Sequence, residues 1–151
     1  MKKVVVAVDG SQTSIDLLEQ SFRYAEKEKD VSLFIFHAIE SSEGKTLWYG
    51  NYPVYYVPSE EEVKEKIKQI VNKALEKTDL SRDLPIEIVV RTGISYECIV
   101  DYAKEIDASM IMIGHRGLSN LQRFFIGSVA AKVVYHAPCS VYVYRQKENV
   151  K

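Results

Sequence analysis

Three glycines and a serine around one short loop are the residues of this chain whose spacing points most directly to chemistry. An apolar run at residues 110–113 leads into residues 114–117, Gly-His-Arg-Gly; nine residues then precede Gly127-Ser128, which opens an apolar helical pattern. Glycines let backbone N–H groups approach a ligand without a Cβ in the way. At a helix start, unpaired N–H groups and the helix dipole favour an anion. The spacing therefore predicts a cradle for a phosphorylated small molecule.

The elements that must position this loop begin with a βαβ unit. Residues 4–8 form a continuous β-branched run, which is typical of a parallel strand covered on both faces. Apolar residues then recur at helical spacing up to residue 29, with Ser11 or Thr13 as the candidate cap. Residues 31–36 predict the second strand, which ends near residues 37–39, His-Ala-Ile.

The same alternation returns after residue 58. Ser59 and Glu62 predict a capping box at the start of a helix that runs to about residue 77, with one apolar face. The remaining predicted elements are a strand at 86–90, a helix at 94–106, a strand at 110–113, a helix at 128–135 and a strand at 141–144. Five strands and four helices predict an α/β, Rossmann-like fold with one doubly wound parallel sheet. We expect one domain over residues 1–147 and a tail at 148–151.

Residues 41–58 interrupt this alternation. They hold Trp48, the only Trp of the chain, and four of its ten Tyr, with Pro53 and Pro58 as breakers. Aromatic residues this dense outside a periodic element suit a lid over a ligand or a contact with an unknown protein partner. We favour a third interpretation, a loop that packs its own aromatic residues against the domain.

Composition and charge exclude several classes of partner. The chain has 151 residues, of which 46% are hydrophobic and 27% charged, and its net charge is −1. These values are ordinary for a globular domain that needs no disulfide or metal to build a core. Because the net charge gives no bulk field, we predict no nucleic-acid and no membrane partner, and any anion site must be local.

The cysteines, histidines and apolar runs indicate a cytoplasmic protein. Cys98 and Cys139 lack a CxxC spacing, and the three histidines lack helical spacing to one another. We therefore predict buried or half-buried thiols in a reducing compartment rather than a disulfide or a metal site. No apolar run approaches the ~18 residues of a membrane span, and the first residues are too few for a targeting segment.

The spacing Gly-x-x-Gly, nine residues, Gly-Ser resembles the ATP-binding motif of the universal stress protein family. The resemblance extends to residues 6–11 (Val-Ala-Val-Asp-Gly-Ser), 36–39 (Phe-His-Ala-Ile) and 127–143, and so covers nearly the whole chain. It implies the strand order 3-2-1-4-5, with the reversal between the first and fourth strands. Ligands of open α/β sheets bind outside the carboxyl ends of strands at such a reversal, and Asp9 and Gly114 leave those two ends.

The resemblance also implies the ligand and the residues that hold it. The ligand is ATP, with AMP or ADP as alternatives, and Mg²⁺ or Mn²⁺ is carried with the nucleotide rather than by a protein metal site. The implied binding residues are Ala7, Val8, Asp9, Ala38, Ile113, Gly114, His115, Arg116, Gly117, Gly127, Ser128 and Val129. The glycines and Ser128 surround the phosphates, and Ile113 and Val129 flank them through main chain. Residues 7–9 line the nucleoside end, and the main chain at Ala38 contacts adenine.

Three side chains of this set keep two interpretations each. Asp9 accepts from a ribose hydroxyl or helps to hold Mg²⁺ through water, or it caps the following helix, and one carboxylate can do both. Arg116 pairs with the β- or γ-phosphate, or it is a solvated loop cation. His115 points to solvent in the interpretation that we favour and is catalytic in the other. Arg123, in the spacer, is a weaker phosphate candidate.

For function, the resemblance implies an ATP-binding regulator or switch of the stress response. The alternatives are a slow Mg-dependent ATPase and a partner-binding family member that does not use nucleotide. Neither GxxxxGK[ST] nor GxGxxG is present, and only His115 and Asp9 offer a base. We therefore predict no enzyme activity beyond slow hydrolysis and no catalytic residue.

The last strand is the expected dimer interface. Residues 141–144 would form the exposed edge of the sheet, and a bare edge invites pairing. Family members commonly dimerise through this strand, so the resemblance implies a homodimer through residues 141–145. Ser140 stands where members often carry proline. Because serine, unlike proline, has a backbone N–H, a donor is present at the start of this edge.

Overall fold

The computed structural model describes residues 1–80, 83–115 and 126–146; the predicted tail at 148–151 lies outside them. The elements, in chain order, are β1 (Lys2–Ala7), α1 (Gln12–Glu28), β2 (Val31–Ile39), a short 3₁₀ helix (Ser41–Glu43), β3 (Lys45–Tyr49), β4 (Tyr52–Tyr56), α2 (Glu60–Thr78), β5 (Ile86–Thr92), α3 (Ser95–Glu105), β6 (Met110–Gly114), α4 (Ser128–His136) and β7 (Ser140–Tyr144). Five of the strands form one sheet in the order β5-β2-β1-β6-β7, and every neighbouring pair is parallel. Without β3 and β4 in the count this is the predicted order 3-2-1-4-5, so the predicted doubly wound α/β sheet is confirmed.

Alternate residues of β1 enter two separate apolar clusters. Val4 and Val6 pack with α1 and α2 on one face of the sheet, and Val5 and Ala7 pack with α3 and α4 on the other. A strand covered on both faces needs no polar side, which is why residues 4–8 form an unbroken apolar run. The helices change face after β5, and the strand order reverses between β1 and β6.

The first two long helices begin at predicted caps. Ser11 caps α1 by accepting a hydrogen bond from Ser14 N at 3.3 Å, and Ser59 caps α2 by accepting from Glu62 N at 3.2 Å. Thr13, the other candidate, lies inside α1. The apolar face predicted for α2 is confirmed, with these residues buried or partly buried in one cluster: Val63, Ile67, Ile70, Val71, Ala74 and Leu75. None of the described helices combines the length and apolarity that a membrane crossing requires.

Strand β2 extends past the predicted run at 31–36 and ends at Ile39, within the residues 37–39 near which its end was predicted. β5 pairs with β2 up to that residue. Strand β1 ends at Ala7, one residue short of the prediction, although Val8 N still donates to Phe36 O at 2.9 Å. The end of β2 therefore extends past the end of its neighbour β1.

The preferred interpretation of residues 41–58 is wrong, because β3 and β4 form an antiparallel two-stranded ribbon rather than a loop packed on the domain. Gly50, with φ +61°, and Asn51 make a two-residue turn with glycine first, as in type II′ hairpins. The aromatic side chains are largely exposed: Trp48 by 68%, Tyr49 by 65% and Tyr52 by 77%. Both faces of the ribbon carry apolar side chains, so the alternating pattern that marks an ordinary surface strand is missing.

Both cysteines are half-buried free thiols, as predicted. Burial raises the pKa of the Cys98 thiol and of the Cys139 thiol above the ordinary value. The nucleophilic form of a cysteine is the thiolate, so a raised pKa makes both residues less reactive at neutral pH.

Candidate functional site

The carboxyl ends of β1 and β6 lie side by side. Ala7 is in register with Ile113, so Val8 and Asp9 leave β1 beside the point where Gly114 ends β6. This is also where the strand order reverses, which in open α/β sheets is the place for a ligand. Five residues of the predicted set therefore share one edge of the sheet.

His115 joins this edge to the start of α4 through its main chain. His115 N donates to Tyr144 O of β7 at 2.7 Å, and His115 O accepts from Gly127 N at 2.7 Å. Although twelve positions apart in sequence, His115 and Gly127 are in direct contact. The two halves of the motif, residues 114–115 and 127–128, are thus brought into contact.

The amino end of α4 presents main-chain donors beside this contact. Gly127 is the N-cap, with φ −60° and ψ 152°, and within the described ranges no side chain caps the helix. The first helical amides, those of Ser128 and Val129, have no acceptor within the helix. Ser128 itself is exposed. Unpaired amides at the positive end of a helix dipole can bind an oxyanion.

Asp9 organises the turn after β1. Its Oδ1 accepts from Ser11 N at 2.9 Å and from the Ser14 hydroxyl at 2.7 Å, and its own N–H donates to Ser14 Oγ at 2.9 Å. No residue in the described part of the chain bonds to Asp9 Oδ2. The carboxylate therefore fixes the start of α1 with one oxygen, which is the capping role that the sequence analysis gave as one interpretation of Asp9. Its other oxygen remains available to a further donor.

Ser14→Ala is expected to lower the free energy of unfolding by about 1–3 kcal/mol, because it leaves the half-buried N–H of Asp9 without a partner and removes one of the two donors to its carboxylate. Urea denaturation measures this difference. Gln12→Ala is the control in the same helical turn; Gln12 is exposed and its amide donates to Asp16, so a change within about 0.5 kcal/mol is expected. Equal losses in both variants would contradict this role for Ser14.

His37 alters the hydrogen bonding where β2 passes the end of β1. Its Nδ1 lies 2.7 Å from Val8 O, and since a carbonyl oxygen only accepts, Nδ1 is the donor. A regular parallel ladder would instead continue with a bond from Ala38 N to Val8 O. That backbone bond is not formed within the described residues, and the β1–β2 register ends at Ala7 with Phe36.

The main chain of Ala38 is consequently left with its ladder groups unused. Residues of one strand point their N–H and C=O alternately to the two sides. Phe36 O bonds towards β1 and Ile39 O accepts from Gly93 N beyond β5, so the N–H and C=O of Ala38 point to the β1 side, past the end of that strand. They form one donor and one acceptor beyond the last pair of the β1–β2 register.

Most of the predicted site residues are placed together, and three lie outside the described residues. Arg116 and Gly117 of the binding set belong to the undescribed segment 116–125, as does Arg123. The remaining members gather at the ends of β1, β2 and β6 and at the start of α4: Ala7, Val8, Asp9, Ala38, Ile113, Gly114, His115, Gly127, Ser128 and Val129. Sequence reasoning did not assign His37 or Ser14, which act on the main chain of Val8 and Asp9. The position of His37 directly before Ala38 was the signal available.

A carboxylate also supports the neighbouring part of the same sheet edge. Glu40, just after β2, accepts from Ser95 N at 2.9 Å with Oε1 and so caps α3, whose own N-cap Ile94 makes no side-chain bond. Glu60 Oε1 accepts from the Thr92 hydroxyl at 3.2 Å and joins α2 to the end of β5. These bonds fix the loops on the β2–β5 side and place negative charge away from the amides of α4.

Comparison with known proteins gives one consistent result. The profile of the Universal stress protein family matches residues 1–145. A Staphylococcus aureus (strain USA300) protein named for this family is 32% identical over 148 residues, which cover 97% of this chain and 86% of that protein.

Solved structures share the fold at lower identity. Universal stress protein UspA from Lactobacillus plantarum superposes with a TM-score of 0.70 and 22% identity, covering 95% of this chain and 97% of its own. A universal stress protein in complex with cAMP gives 0.65 at 22% identity, covering 95% and 96%. The universal stress protein from Archaeoglobus fulgidus in complex with dAMP gives 0.60 at 24% identity, covering 95% and 97%. The matched profile over residues 1–145 shows that this chain belongs to the universal stress protein family.

Proposed function

We propose that this protein binds an adenine nucleotide, ATP in the first place, at the carboxyl edge of the sheet between β1 and β6, and acts as a nucleotide-dependent regulator of the stress response. The observation that carries the proposal is the 2.7 Å bond from Gly127 N to His115 O. It places the end of β6 against the uncapped amides of α4, where a phosphate chain has main-chain donors on two sides. Two structurally similar universal stress proteins were solved with cAMP and with dAMP, which supports an adenine ligand here.

The base-reading end of the proposed site is the main chain of Ala38. Its N–H and C=O supply one donor and one acceptor, and the edge of adenine carries the complementary ring nitrogen and amino group. Guanine presents an oxygen and an N–H at the equivalent positions, which leaves donor facing donor and acceptor facing acceptor. A site that hydrogen-bonds one base through fixed main-chain groups disfavours the other, because the mismatched groups are left unpaired.

The divalent metal is proposed to enter with the nucleotide. Asp9 keeps Oδ2 for a further donor in the described structure, and its other oxygen is fixed by Ser11 and Ser14. That fits either a ribose hydroxyl or a water of a phosphate-bound Mg²⁺ or Mn²⁺, since Mg²⁺ usually keeps several waters when it binds through one carboxylate. One carboxylate and main-chain amides are a sufficient set for a metal that the phosphates already hold.

Regulation is proposed to reach the surface through β7. The same His115 that contacts Gly127 also donates to Tyr144 O, so a ligand that moves the junction of β6 and α4 also moves the last strand. β7 is the edge strand of the sheet and the proposed homodimer interface. Nucleotide occupancy would then change how two copies meet.

The second candidate function is that of an enzyme, and we propose that this protein is a binding protein instead. Apart from the Asp9 carboxylate and the His115 imidazole, whose Nδ1 is buried, the described groups at the proposed phosphate end are main-chain amides and one serine hydroxyl, which bind and orient but do not move protons readily. Slow Mg-dependent hydrolysis from positioned phosphates is the alternative. Turnover near the ~1 per second or more of ordinary enzymes would overturn the proposal of a binding protein.

Calorimetric titration of the nucleotide-free protein with ATP and Mg²⁺ tests the proposed function, with GTP as the matched ligand. Binding of ATP with clear preference over GTP is the expected result. Acid release from the purified protein, followed by mass spectrometry, identifies any ATP, ADP or AMP that is already bound. A protein that carries no nucleotide and gives no heat with ATP would instead be a partner-binding family member that does not use nucleotide.

A further inference from the structure

The aromatic ribbon, β3 and β4 together, exposes apolar side chains on both of its faces. Residues directly opposite each other share a face, so Leu47, Tyr49, Tyr52 and Val54 lie on one side and Trp48 with Pro53 on the other. Trp48, Tyr49 and Tyr52 are each at least 65% exposed. A two-stranded hairpin is marginally stable alone, and a ribbon that shows water this much aromatic surface is typical of a binding element.

The base of the ribbon is attached to the domain, while one edge of it is open. The Tyr55 hydroxyl donates to Ser41 O, and the Tyr56 hydroxyl donates to Glu62. Tyr49 and Tyr52 flank the two-residue turn and form a hydrogen-bonded pair. Hydrogen-bonded and non-hydrogen-bonded pairs alternate along an antiparallel ladder, so Thr46 and Trp48 belong to non-hydrogen-bonded pairs. Their N–H and C=O groups therefore point away from β4. No backbone bond outside the ribbon involves residues 45–49 among the described residues.

The small number of charged residues in the ribbon excludes some classes of partner. Lys45 is the only charged residue between 44 and 58. Single-stranded nucleic acid and anionic lipid surfaces are held by clusters of Lys and Arg, which the ribbon lacks. Trp and Tyr are the residues enriched at the centres of protein interfaces. The ribbon therefore fits another protein surface.

One more copy of β3 fits this edge. The apolar side chains of β3, those of Leu47, Trp48 and Tyr49, are 41%, 68% and 65% exposed. In an antiparallel pair, side chains that lie opposite each other share a face and contact each other. Pairing of two β3 strands would therefore bury part of these side chains on both faces of the ribbon, together with the outward main-chain groups of Thr46 and Trp48.

We propose that β3 pairs antiparallel with β3 of a second copy, about a two-fold axis at Leu47, to make a four-stranded sheet. In this register Thr46 lies opposite the partner's Trp48, and Trp48 opposite the partner's Thr46, so all four outward donors and acceptors of each strand are used. Lys45 lies opposite the partner's Tyr49, which separates the two cations and places each near an aromatic ring. β4 is less suited, because Pro53 lacks an N–H. This interface is separate from β7 and does not depend on nucleotide binding.

Cysteine cross-linking tests the register in the full-length chain. Leu47→Cys is expected to give a disulfide-linked dimer under mild oxidation, because opposed residues at a non-hydrogen-bonded position have Cα atoms about 4.5 Å apart. Lys45→Cys is the matched control: its two copies would be separated by four residues along the strands, about 13 Å, and should not link. The wild-type chain, whose two cysteines are half-buried, gives the background. Equal linking at positions 45 and 47, or none at 47, overturns the register.

Sedimentation equilibrium tests the interface without a cross-link. Thr46→Pro removes one outward N–H and spares the bonds to β4, so it should lower the molar mass of the assembly, whereas Thr46→Val keeps the N–H and should leave the mass unchanged. If β7 does not pair, the change is from dimer to monomer. If β7 also pairs, each chain has two two-fold interfaces, and Thr46→Pro reduces a tetramer or a longer assembly to a dimer. A wild-type mass that Thr46→Pro does not change would contradict a second copy as the occupant, and the ribbon would then have to bind a different protein.

Discussion

Gly127→Val is expected to weaken ATP binding at least ~100-fold, about 2.7 kcal/mol, while the protein stays folded. Gly127 is buried where its N–H reaches His115 O, and its φ of −60° is one that valine adopts without strain. The backbone bond can therefore survive the substitution. The isopropyl group, in contrast, must occupy space beside the amides of Ser128 and Val129, which are proposed to hold the phosphates.

The controls for this substitution separate ligand binding from helix stability. Gly127→Ala adds one methyl group and should give an intermediate affinity. Val134→Ala changes an exposed residue of the same helix and should leave ATP affinity within twofold, although it too alters α4. Calorimetry gives the affinities and urea denaturation the stabilities. If Gly127→Val binds ATP as tightly as the wild type, the phosphates do not lie at the start of α4.

The sheet was predictable from the sequence because its strands are covered on both faces. Runs such as residues 4–8 and 110–113 are continuous and β-branched or apolar, and each is followed by a recognisable helix start. The reversal between β1 and β6 was not readable from periodicity and came from the family resemblance. The ribbon was missed for a physical reason: its strands are apolar on both sides yet exposed, which combines the pattern of a buried strand with the environment of a loop.

The site was predictable where it depends on backbone freedom and less so where it depends on side chains that adjust the backbone. The spacing of Gly114 and Gly127 correctly placed the end of β6 against α4. Asp9 was correctly put at the end of β1, but its partner Ser14 emerges only when α1 folds back on the turn. His37 was placed at the end of β2 and judged not to be a metal ligand, but no bond to Val8 O was predicted for it. That bond requires β2 to extend past the end of β1, and the sequence pattern does not show where the two strands end relative to each other.

A second large effect is expected at His37, and it concerns the base rather than the phosphates. His37→Phe keeps a ring of similar size in this buried position but has no donor for Val8 O. Val8 O would then accept from Ala38 N, as in a regular parallel ladder, and the base-reading donor would be lost. We expect ATP affinity to fall about tenfold, or ~1.4 kcal/mol, and the preference for ATP over GTP to disappear.

Inorganic triphosphate and a conservative variant distinguish this role from simple destabilisation. His37→Phe should bind triphosphate as the wild type does, whereas Gly127→Val should lose triphosphate and ATP alike, because the two positions serve opposite ends of the ligand. His37→Asn retains an N–H near the position of Nδ1 and should restore much of the preference for ATP. Calorimetry with ATP, GTP and triphosphate on the three variants gives the comparison. Parallel losses for all three ligands in His37→Phe would mean that His37 supports the fold of β1 and β2 without setting which base is read.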